Sequence, residues 1–363
     1  MDKADIVSLK YSPGLMKEIV SLIECFRDHG IDASGHLHER YLKLAFESGE
    51  NFINANYFKK GNIAKTKQCF KIIFKKSKLV LFYNSHPLNL LILFACIFFT
   101  PFKRRALVLH EPLKQQPFKN YGKYGFVVLL IEALNKLQSW LCTDVILLSP
   151  RASKLYNESR FYSRFCELHE ARILLPSPKC KNTLSERKYF SFFGSVVATK
   201  KIDWFLDLVE YSFVTGSSNK FLIVSGSELP SDRIETLLSN GCLLTVVNPK
   251  VLTDQEISNW LSQSLAVLSM HKSVTQSGVF VECMRHNTPV ICLDEPGFRQ
   301  FMDGCGILVS SEYNKEELLI AMQNISAQKE QFARSAKKIY FDNFSTNNFN
   351  VFYGTILDKI RSN

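Results

Sequence analysis

The chain has 363 residues, of which 46% are hydrophobic and 22% charged, and its formal net charge is +11. This length and composition are typical of two globular domains and exclude a disordered or low-complexity chain. The longest apolar run, 90–99, is too short to cross a bilayer, because a spanning helix needs roughly twenty residues. The opening residues, 1–12, lack the charged-then-apolar layout of a signal peptide.

Ten cysteines are spaced irregularly along the chain, and most of them lie inside apolar runs. They form neither a CxxC pair nor a Cys/His cluster at the spacing of metal ligands. This pattern indicates buried, reduced thiols in a cytoplasmic protein and predicts no metal site.

The first half of the chain alternates apolar strands with helices, which predicts a parallel sheet covered on both faces. The predicted strands are 5–9, 78–83, 106–110 and 144–148, and the predicted helices are 15–29, 90–99 and 127–141. We expect the apolar helix 90–99 to be buried in the first domain.

A polar segment with two prolines, 174–189, follows and is interpreted as an interdomain linker. A second alternating series begins beyond it. Its predicted strands are 189–194, 220–225, 242–247 and 266–270, and its predicted helices are 202–211 and 254–263. From residue 333 onward the pattern predicts helix, with a kinked region rich in Phe and Tyr.

The most informative segment is 275–309, which combines a Gly-bearing turn, a short helix and two apolar strands. The turn consists of Thr275, Gln276, Ser277 and Gly278. Such a turn presents free backbone N–H groups at a helix N-terminus, where the helix dipole favours a phosphate. A carboxylate one turn further in, Glu282, can accept hydrogen bonds from sugar or ribose hydroxyls. These elements in this order favour a site for a phosphate-bearing ligand over an ordinary strand–helix repeat.

The segment resembles the donor-binding signature of GT-B glycosyltransferases, especially retaining family four (glycosyl transferases group 1). The family's Glu-Ala-Met-Ala-x-Gly-x-Pro-Val is matched by Glu-Cys-Met-Arg-His-Asn-Thr-Pro-Val, which runs from Glu282 to Val290. The family's first glutamate is missing, because the Gly turn has the Thr-Gln-Ser-Gly variant. Asn287, in place of a family glycine, is predicted to end the helix in a left-handed conformation. Gln300, in place of a family glutamate, is predicted to be a surface position.

This resemblance implies an α/β fold with two Rossmann-like doubly wound domains that face each other across a cleft. It places an acceptor-binding domain at 1–175, a linker at 176–188 and a nucleotide-sugar-binding domain at 189–335. The C-terminal helix, within 336–363, is expected to cross back to the first domain.

The resemblance also implies phosphate-binding residues in the second domain. Gly194 and Lys200 match the family's Gly-Arg and Lys-Gly elements, while Ser195 and Lys201 replace the arginine and the second glycine. Lys200 is therefore predicted to contact the β-phosphate, with Lys201 compensating for the missing arginine. Gly226 follows a predicted strand in the manner of the family's Gly-rich turn.

The remaining implied site residues belong to the nucleotide ribose and to the first domain. Glu282 matches the family glutamate that contacts the ribose. His110 ends a predicted strand and His86 follows one, at the sheet edge where α/β proteins bind ligands. His110 resembles the family's strand-end histidine near the transferred sugar, so the predicted catalytic set is His110, Lys200 and Glu282. Gly14 would let the first loop approach a substrate closely.

The predicted activity is retaining, metal-independent transfer of a sugar from a nucleotide diphosphate sugar to a lipid-linked or glycan acceptor. Cell-surface polysaccharide or lipopolysaccharide synthesis is the expected setting. The nucleotide sugar is a substrate, and no cofactor is expected. Two alternatives remain open: a sugar-nucleotide epimerase of the same fold, and a non-catalytic GT-B-like subunit or sugar-binding module.

Positive charge is concentrated between residues 51 and 150, which hold 15 Lys and Arg against 3 Asp and Glu. Anionic lipid or a diphosphate-linked substrate would suit such a surface. No nucleic-acid-binding motif is present, so no nucleic-acid partner is expected. The basic cluster predicted to contact lipid consists of Lys71, Lys75, Lys76, Lys103, Arg104 and Arg105. We therefore expect a cytoplasmic protein that is peripheral at the inner face of the membrane.

Overall fold

The computed structural model describes residues 1–48, 55–58, 62–113, 125–178, 187–249, 251–272 and 274–362. The chain divides into two compact units. The first comprises Met1–Pro176 and Thr346–Asn363, and the second comprises Ser177–Ser345.

The first unit is built on a seven-stranded parallel sheet. Its strands are β1 (Lys3–Ser8), β2 (Asp32–His38), β3 (Ala55–Phe58), β4 (Leu79–Phe82), β5 (Arg104–Leu109), β6 (Asp144–Leu147) and β7 (Glu167–Glu170). They lie in the order β3-β2-β1-β4-β5-β6-β7. Every residue of β4 and of β6 is buried, as expected for parallel strands covered on both faces.

Six helices of the first unit connect these strands. They are α1 (Met16–Asp28), α2 (Arg40–Ser48), α3 (Asn62–Phe74), α4 (Pro87–Phe99), α5 (Gly125–Leu141) and α6 (Pro150–Glu158). Two of them begin in the same way, because α4 and α6 each have proline in the first turn and a capping side chain before it.

The second unit contains a six-stranded parallel sheet. Its strands are β8 (Tyr189–Phe193), β9 (Lys220–Val224), β10 (Leu244–Val247), β11 (Ser264–Ser269), β12 (Val290–Leu293) and β13 (Gly306–Val309). They lie in the order β10-β9-β8-β11-β12-β13. Its core includes Phe190 of β8, Ile223 of β9 and Leu268 of β11, all essentially inaccessible to solvent.

The helices of the second unit complete its strand–helix alternation. They are α7 (Ile202–Val214), α8 (Ser231–Ser239), α9 (Asp254–Ser262), α10 (Gly278–Arg285), α11 (Pro296–Arg299), α12 (Lys315–Ala327) and α13 (Lys329–Ile339). A 3-10 helix, Ala198–Lys200, precedes α7, and a π-helix, Tyr340–Phe344, follows α13. As predicted, Asn287 follows α10 in a left-handed conformation, with φ of 54°.

The chain returns to the first unit at Thr346 and ends in α14 (Phe349–Ser362). Phe349 of α14 packs edge-on against Phe26 of α1, with ring centroids 5.2 Å apart. The predicted fold class, two doubly wound α/β domains with a C-terminal helix on the first, is confirmed. The change of unit lies between Ser345 and Thr346, whereas the sequence placed it between residues 335 and 336.

Each sheet has one point where the strand order reverses direction. In the first sheet the neighbours β1 and β4 flank this point, and in the second sheet β8 and β11 do so. Ligands of open α/β sheets bind outside the carboxyl ends of strands at such a point. The loops that follow β8 and β11 therefore mark the place where a site is expected in the second unit.

The structure corrects the prediction that helix 90–99 is buried. Ile92, Leu93 and Cys96 of α4 are buried, but Phe98 is 77% exposed and Phe99 is 64% exposed. Periodicity in a run without polar residues cannot show which face of a helix meets solvent, because every position looks apolar.

The basic cluster is also not the open surface that the sequence predicted. The Lys103 ammonium is buried and donates to the carbonyl oxygens of Ile72, Ile73 and Lys75 at the end of α3. Lys75 pairs with the buried Asp5 at 2.6 Å.

Both arginines of the basic cluster have internal partners. Arg104 makes two hydrogen bonds to the Asp144 carboxylate, at 2.5 and 3.0 Å. The Arg105 guanidinium donates to the backbone oxygens of Leu141 and Lys103. These groups stabilise the first unit from within, and Lys71 and Lys76 are the exposed members of the cluster.

Candidate active site

The segment that follows β8 contains a lysine, Lys200, that has no anionic partner among the described residues. The chain leaves β8 at Gly194, where φ is +97°, and Lys200 closes the short 3-10 helix that follows. A Cβ on Gly194 would lie 2.8 Å from the Lys200 ammonium nitrogen, so this ammonium lies directly against the glycine. Burial lowers the pKa of Lys200 to about 8. An anionic ligand would offset the free energy that is lost when the charged ammonium is removed from water.

The N-terminus of α10 also lies close to Gly194. This helix follows β11, which is the neighbour of β8 at the point where the strand order reverses. A Cβ on Gly194 would lie 3.1 Å from Cγ2 of Val279, in the first turn of α10. The backbone N–H of Lys272 donates to the Thr199 carbonyl at 3.0 Å, which joins the loop after β11 to the loop after β8. The structure therefore brings Gly194, Lys200 and the start of α10 together.

The Gly-bearing turn before α10 supplies polar groups at this point. Ser277 is the N-cap of α10, and its hydroxyl accepts from the N–H of Phe280 at 3.3 Å. The amide oxygen and nitrogen of Gln276 are both buried without a hydrogen-bond partner in the described structure. Because a buried amide without partners is costly, Gln276 is suited to hydrogen bonding with a ligand.

Thr275 is held in place by a residue whose position was predicted wrongly. The Gln300 side-chain amide donates to the carbonyl oxygens of Thr275 and Gly297, both at 2.8 Å. Gln300 is thus a partly buried support of the loop and not a surface position. A Cβ on Gly297 would lie 1.9 Å from the Val274 carbonyl oxygen, so only glycine allows α11 to approach the loop this closely.

His271, two residues after β11, is a functional candidate that the sequence analysis missed. Its Nδ1 is buried and has no hydrogen-bond partner among the described residues. Burial and the positive charge of Lys200 lower the pKa of His271 to about 4, so the ring is neutral at neutral pH. Its position directly after an apolar strand, the criterion that selected His110, was the signal that could have found it.

Glu282 lies on the second turn of α10 within a charged cluster. Its Oε2 accepts from the Arg285 guanidinium at 3.1 Å and lies 3.6 Å from Nε2 of His286. Arg285 is buried and also donates to both oxygens of Asp254. This arrangement holds the Glu282 carboxylate in one orientation, and its contact with a ribose stays a prediction.

The other predicted residues of the second unit follow the ends of β8 and β9. Ser195 is exposed, and Gly226 is exposed two residues beyond β9. Lys201 adopts a left-handed conformation before α7, and its ammonium lies 5.9 Å from the centre of the Trp204 ring. The described contacts of Lys201 thus point to Trp204 and not to the Gly194 loop.

His110 follows β5 in the first unit, as the sequence predicted. Its ring packs edge-on against Tyr83, with centroids 5.4 Å apart. Burial, together with the charge of Lys10, lowers the pKa of His110 to about 4, although a hydrogen bond with the Tyr83 backbone acts in the opposite direction. The imidazole is therefore neutral at neutral pH and can exchange hydrogen bonds with hydroxyl groups.

The two other predicted positions of the first unit have simpler surroundings. His86 is the N-cap of α4, and its Nδ1 accepts from the N–H of Leu88 at 3.2 Å. A Cβ on Gly14 would have no neighbour within 4 Å, so close packing inside the protein does not require glycine there.

One cluster in the described structure has the composition of a metal site, formed by Asp144, Glu167 and His169. It lies where β6 and β7 begin, which is the sheet edge opposite the carboxyl ends of the strands. Arg104 and Lys359 both pair with carboxylates of this cluster. Two cations in these positions oppose metal binding, so the cluster is better explained as a support that joins the strands and α14.

Comparison with known families and structures supports a glycosyltransferase. The model of the family described as Glycosyl transferases group 1 matches residues 187–328. No curated protein matches the chain. The matched segment contains Gly194, Lys200 and the whole of α10, which are the elements that form the candidate site.

Solved structures resemble the chain over its full length. The pneumococcal O-GlcNAc transferase GtfA, in complex with UDP and GlcNAc, has a TM-score of 0.75 at 10% identity, covering 100% of this chain and 99% of its own. HepE of Anabaena, in complex with UDP-glucose, has a TM-score of 0.73 at 14% identity, covering 98% of this chain and 99% of its own. A glycosyltransferase from Rickettsia africae has a TM-score of 0.71 at 13% identity, covering 100% of this chain and 99% of its own. The second unit therefore carries the sequence pattern of the glycosyl transferases of group 1, and the whole chain has the GT-B glycosyltransferase fold that its sequence predicted.

Proposed function

We propose that the protein transfers a sugar from a nucleotide diphosphate sugar to a glycan or lipid-linked acceptor, in the synthesis of cell-surface polysaccharide or lipopolysaccharide. The observation that carries this proposal is the Lys200 ammonium, which is largely buried against Gly194 without an anionic partner in the described structure. A diphosphate at this point would supply the missing negative charge and meet the N-terminus of α10. The structures of GtfA and HepE contain UDP and UDP-glucose, so uridine diphosphate donors are the first to be tested.

Lys200 would act most strongly as the sugar–phosphate bond breaks. Negative charge grows on the β-phosphate when the nucleoside diphosphate leaves, and a fixed cation stabilises that charge more in the transition state than in the bound donor. The orphan N–H groups of α10 would contribute in the same direction. In this proposal Lys200 and α10 supply the positive potential, and the enzyme works without a metal ion.

The remaining parts of the site are assigned from their environments. Glu282 would hold the ribose of the donor, because Arg285 and His286 fix its carboxylate. His110 would contact the transferred sugar as a neutral hydrogen-bonding group, because its pKa of about 4 keeps it unprotonated at neutral pH. Transfer with retention at the anomeric carbon follows from the resemblance to family four and is part of the proposal.

The test is a panel of nucleotide sugars, assayed by thermal shift and by release of nucleoside diphosphate. We expect one donor to stabilise the protein and to release its nucleoside diphosphate when an acceptor is present. Lys200→Ala should weaken donor binding and lower kcat, by about tenfold or more, since hydrogen bonds to charged groups contribute about 1.5–3 kcal/mol. His110→Ala should lower kcat with little change in donor affinity.

The same assay separates the alternatives. An epimerase would convert the sugar nucleotide to an isomer without releasing nucleoside diphosphate, and a binding module would be stabilised without turnover. Circular dichroism checks that Lys200→Ala is folded. If the folded variant binds and turns over the donor as wild type does, the nucleotide does not bind at the position proposed here.

A further inference from the structure

Helix α5 has its polarity reversed relative to an ordinary surface helix. Its buried positions include Asn135, Gln138 and Ser139, which are polar. Its exposed positions are mainly apolar: Phe126, Val127, Leu129, Leu130, Ile131, Leu137 and Trp140. Helices of soluble proteins place their apolar residues toward the core, so this face is suited to an apolar environment outside the protein.

The neighbouring helices extend this apolar face. Helix α4 packs beside α5, and α3 packs beside α4. Leu91, Phe94 and Phe98 of α4 are exposed at positions i, i+3 and i+7, which places them on one side of that helix. Phe74 of α3 contacts the exposed Phe99 of α4, with ring centroids 5.8 Å apart.

A second aromatic group lies at the C-terminal end of α5. The Trp140 ring lies 5.6 Å from Phe165, and the Trp140 indole N–H donates to the Phe161 carbonyl at 3.0 Å. Phe161 and Phe165 are 70% and 87% exposed. Exposed aromatic side chains with a polar group at one end are typical of the boundary between water and acyl chains.

Basic residues outnumber acidic ones in these three helices. Together, α3, α4 and α5 contain four lysines and one acidic residue, Glu132, which pairs with Lys136. Lys71 lies between the exposed Phe70 and Phe74, and Lys76 follows them. Arg160 and Arg164 are exposed next to Phe161 and Phe165 in the sequence.

We propose that this face of α3, α4 and α5 binds an anionic phospholipid bilayer, with its aromatic and aliphatic side chains entering the acyl boundary. The basic side chains would meet the lipid phosphates, an arrangement typical of helices that lie in the plane of a membrane. A second copy of the chain fits less well, because a two-fold interface would bring two positive rims together. No helix in the described part of the chain is long and apolar enough to span a membrane. The proposed binding is peripheral.

Vesicle co-sedimentation of the full chain tests this proposal. With vesicles of equal parts phosphatidylcholine and phosphatidylglycerol, the double variant Phe94→Ser/Phe98→Ser should bind at least tenfold more weakly than wild type. The matched control is Phe213→Ser/Val214→Ser, two exposed apolar residues at the end of α7 in the second unit, which should bind as wild type does. Lys71→Ser should weaken binding about fivefold on these vesicles and much less on pure phosphatidylcholine.

Two further measurements separate a loss of membrane contact from a loss of folding, and neither of them depends on the donor site. Because the substituted residues are exposed, thermal unfolding of every variant should match that of wild type. Vesicles with brominated acyl chains should quench Trp140 fluorescence in wild type, and Trp140→Phe should abolish this component. Equal vesicle binding by wild type and Phe94→Ser/Phe98→Ser would overturn the proposal. Sedimentation velocity tests the alternative of a dimer. If wild type is a dimer that the same substitutions dissociate, this face is a protein interface and not a membrane-binding face.

Discussion

The ammonium of Lys200 lies against the α-carbon of Gly194, close enough that a Cβ on the glycine would be 2.8 Å from the lysine nitrogen. The positive φ of Gly194, +97°, turns the chain out of β8 and creates the space that the ammonium occupies. A glycine and a lysine six residues apart thus lie in direct contact, and the absence of a Cβ on Gly194 leaves room for the ammonium.

The first prediction concerns this space. Gly194→Ala should lower nucleoside diphosphate affinity about tenfold, or about 1.4 kcal/mol, because the new methyl group displaces the Lys200 ammonium. Gly216→Ala is the matched control, since Gly216 also has a positive φ, +71°, but no neighbour within 4 Å of a Cβ. Both variants should lose about 1–2 kcal/mol of stability through backbone strain. Isothermal titration calorimetry measures the affinity, and an equal loss of affinity in both variants would contradict this account.

The second prediction concerns pH. Because burial lowers the pKa of Lys200 to about 8, the ammonium loses its proton as pH rises through about 8. A bound diphosphate favours the charged form of Lys200. The affinity for the nucleotide diphosphate sugar should therefore be constant below about pH 7.5 and fall steadily between about pH 8 and 9.5. Lys200→Arg should remove this decline, since arginine stays protonated throughout the range. Lys201→Arg should keep it, and a decline that survives in Lys200→Arg would assign the titration to another group.

The third prediction concerns Glu282. Glu282→Ala should raise the donor KM several-fold and leave kcat within about twofold. The reason is that a contact with the ribose stabilises the bound donor and the transition state by the same free energy. Asp254→Ala removes the other carboxylate partner of Arg285 and is the matched control. It should lower the unfolding temperature and leave the donor KM unchanged. A similar rise in KM for both variants would show that Glu282 acts by holding Arg285 and not by contacting the donor.

Much of the fold could be predicted because local patterns carry it. The apolar runs at β4, β6, β8 and β12 are buried strands, and Asn287 has the left-handed conformation that its place after a helix indicated. Strands β2, β3 and β7 were not predicted, because their sequences, DASGHLH, ANYF and ELHE, have mixed polarity. β3 and β7 are the two edge strands of the sheet, where strands meet solvent and an apolar run is not required, and β2 lies next to the edge strand β3.

The sequence by itself determined the α/β class, most of the strand–helix order, and the Gly194, Lys200 and α10 elements of the candidate site. These features depend on residue type and spacing along a short segment of chain. Tertiary structure alone decided that Lys103, Arg104 and Arg105 are bound internally while the apolar side chains of α4 and α5 face outward. The physical reason is that burial depends on which elements pack together, and a charged or apolar side chain does not specify its neighbours.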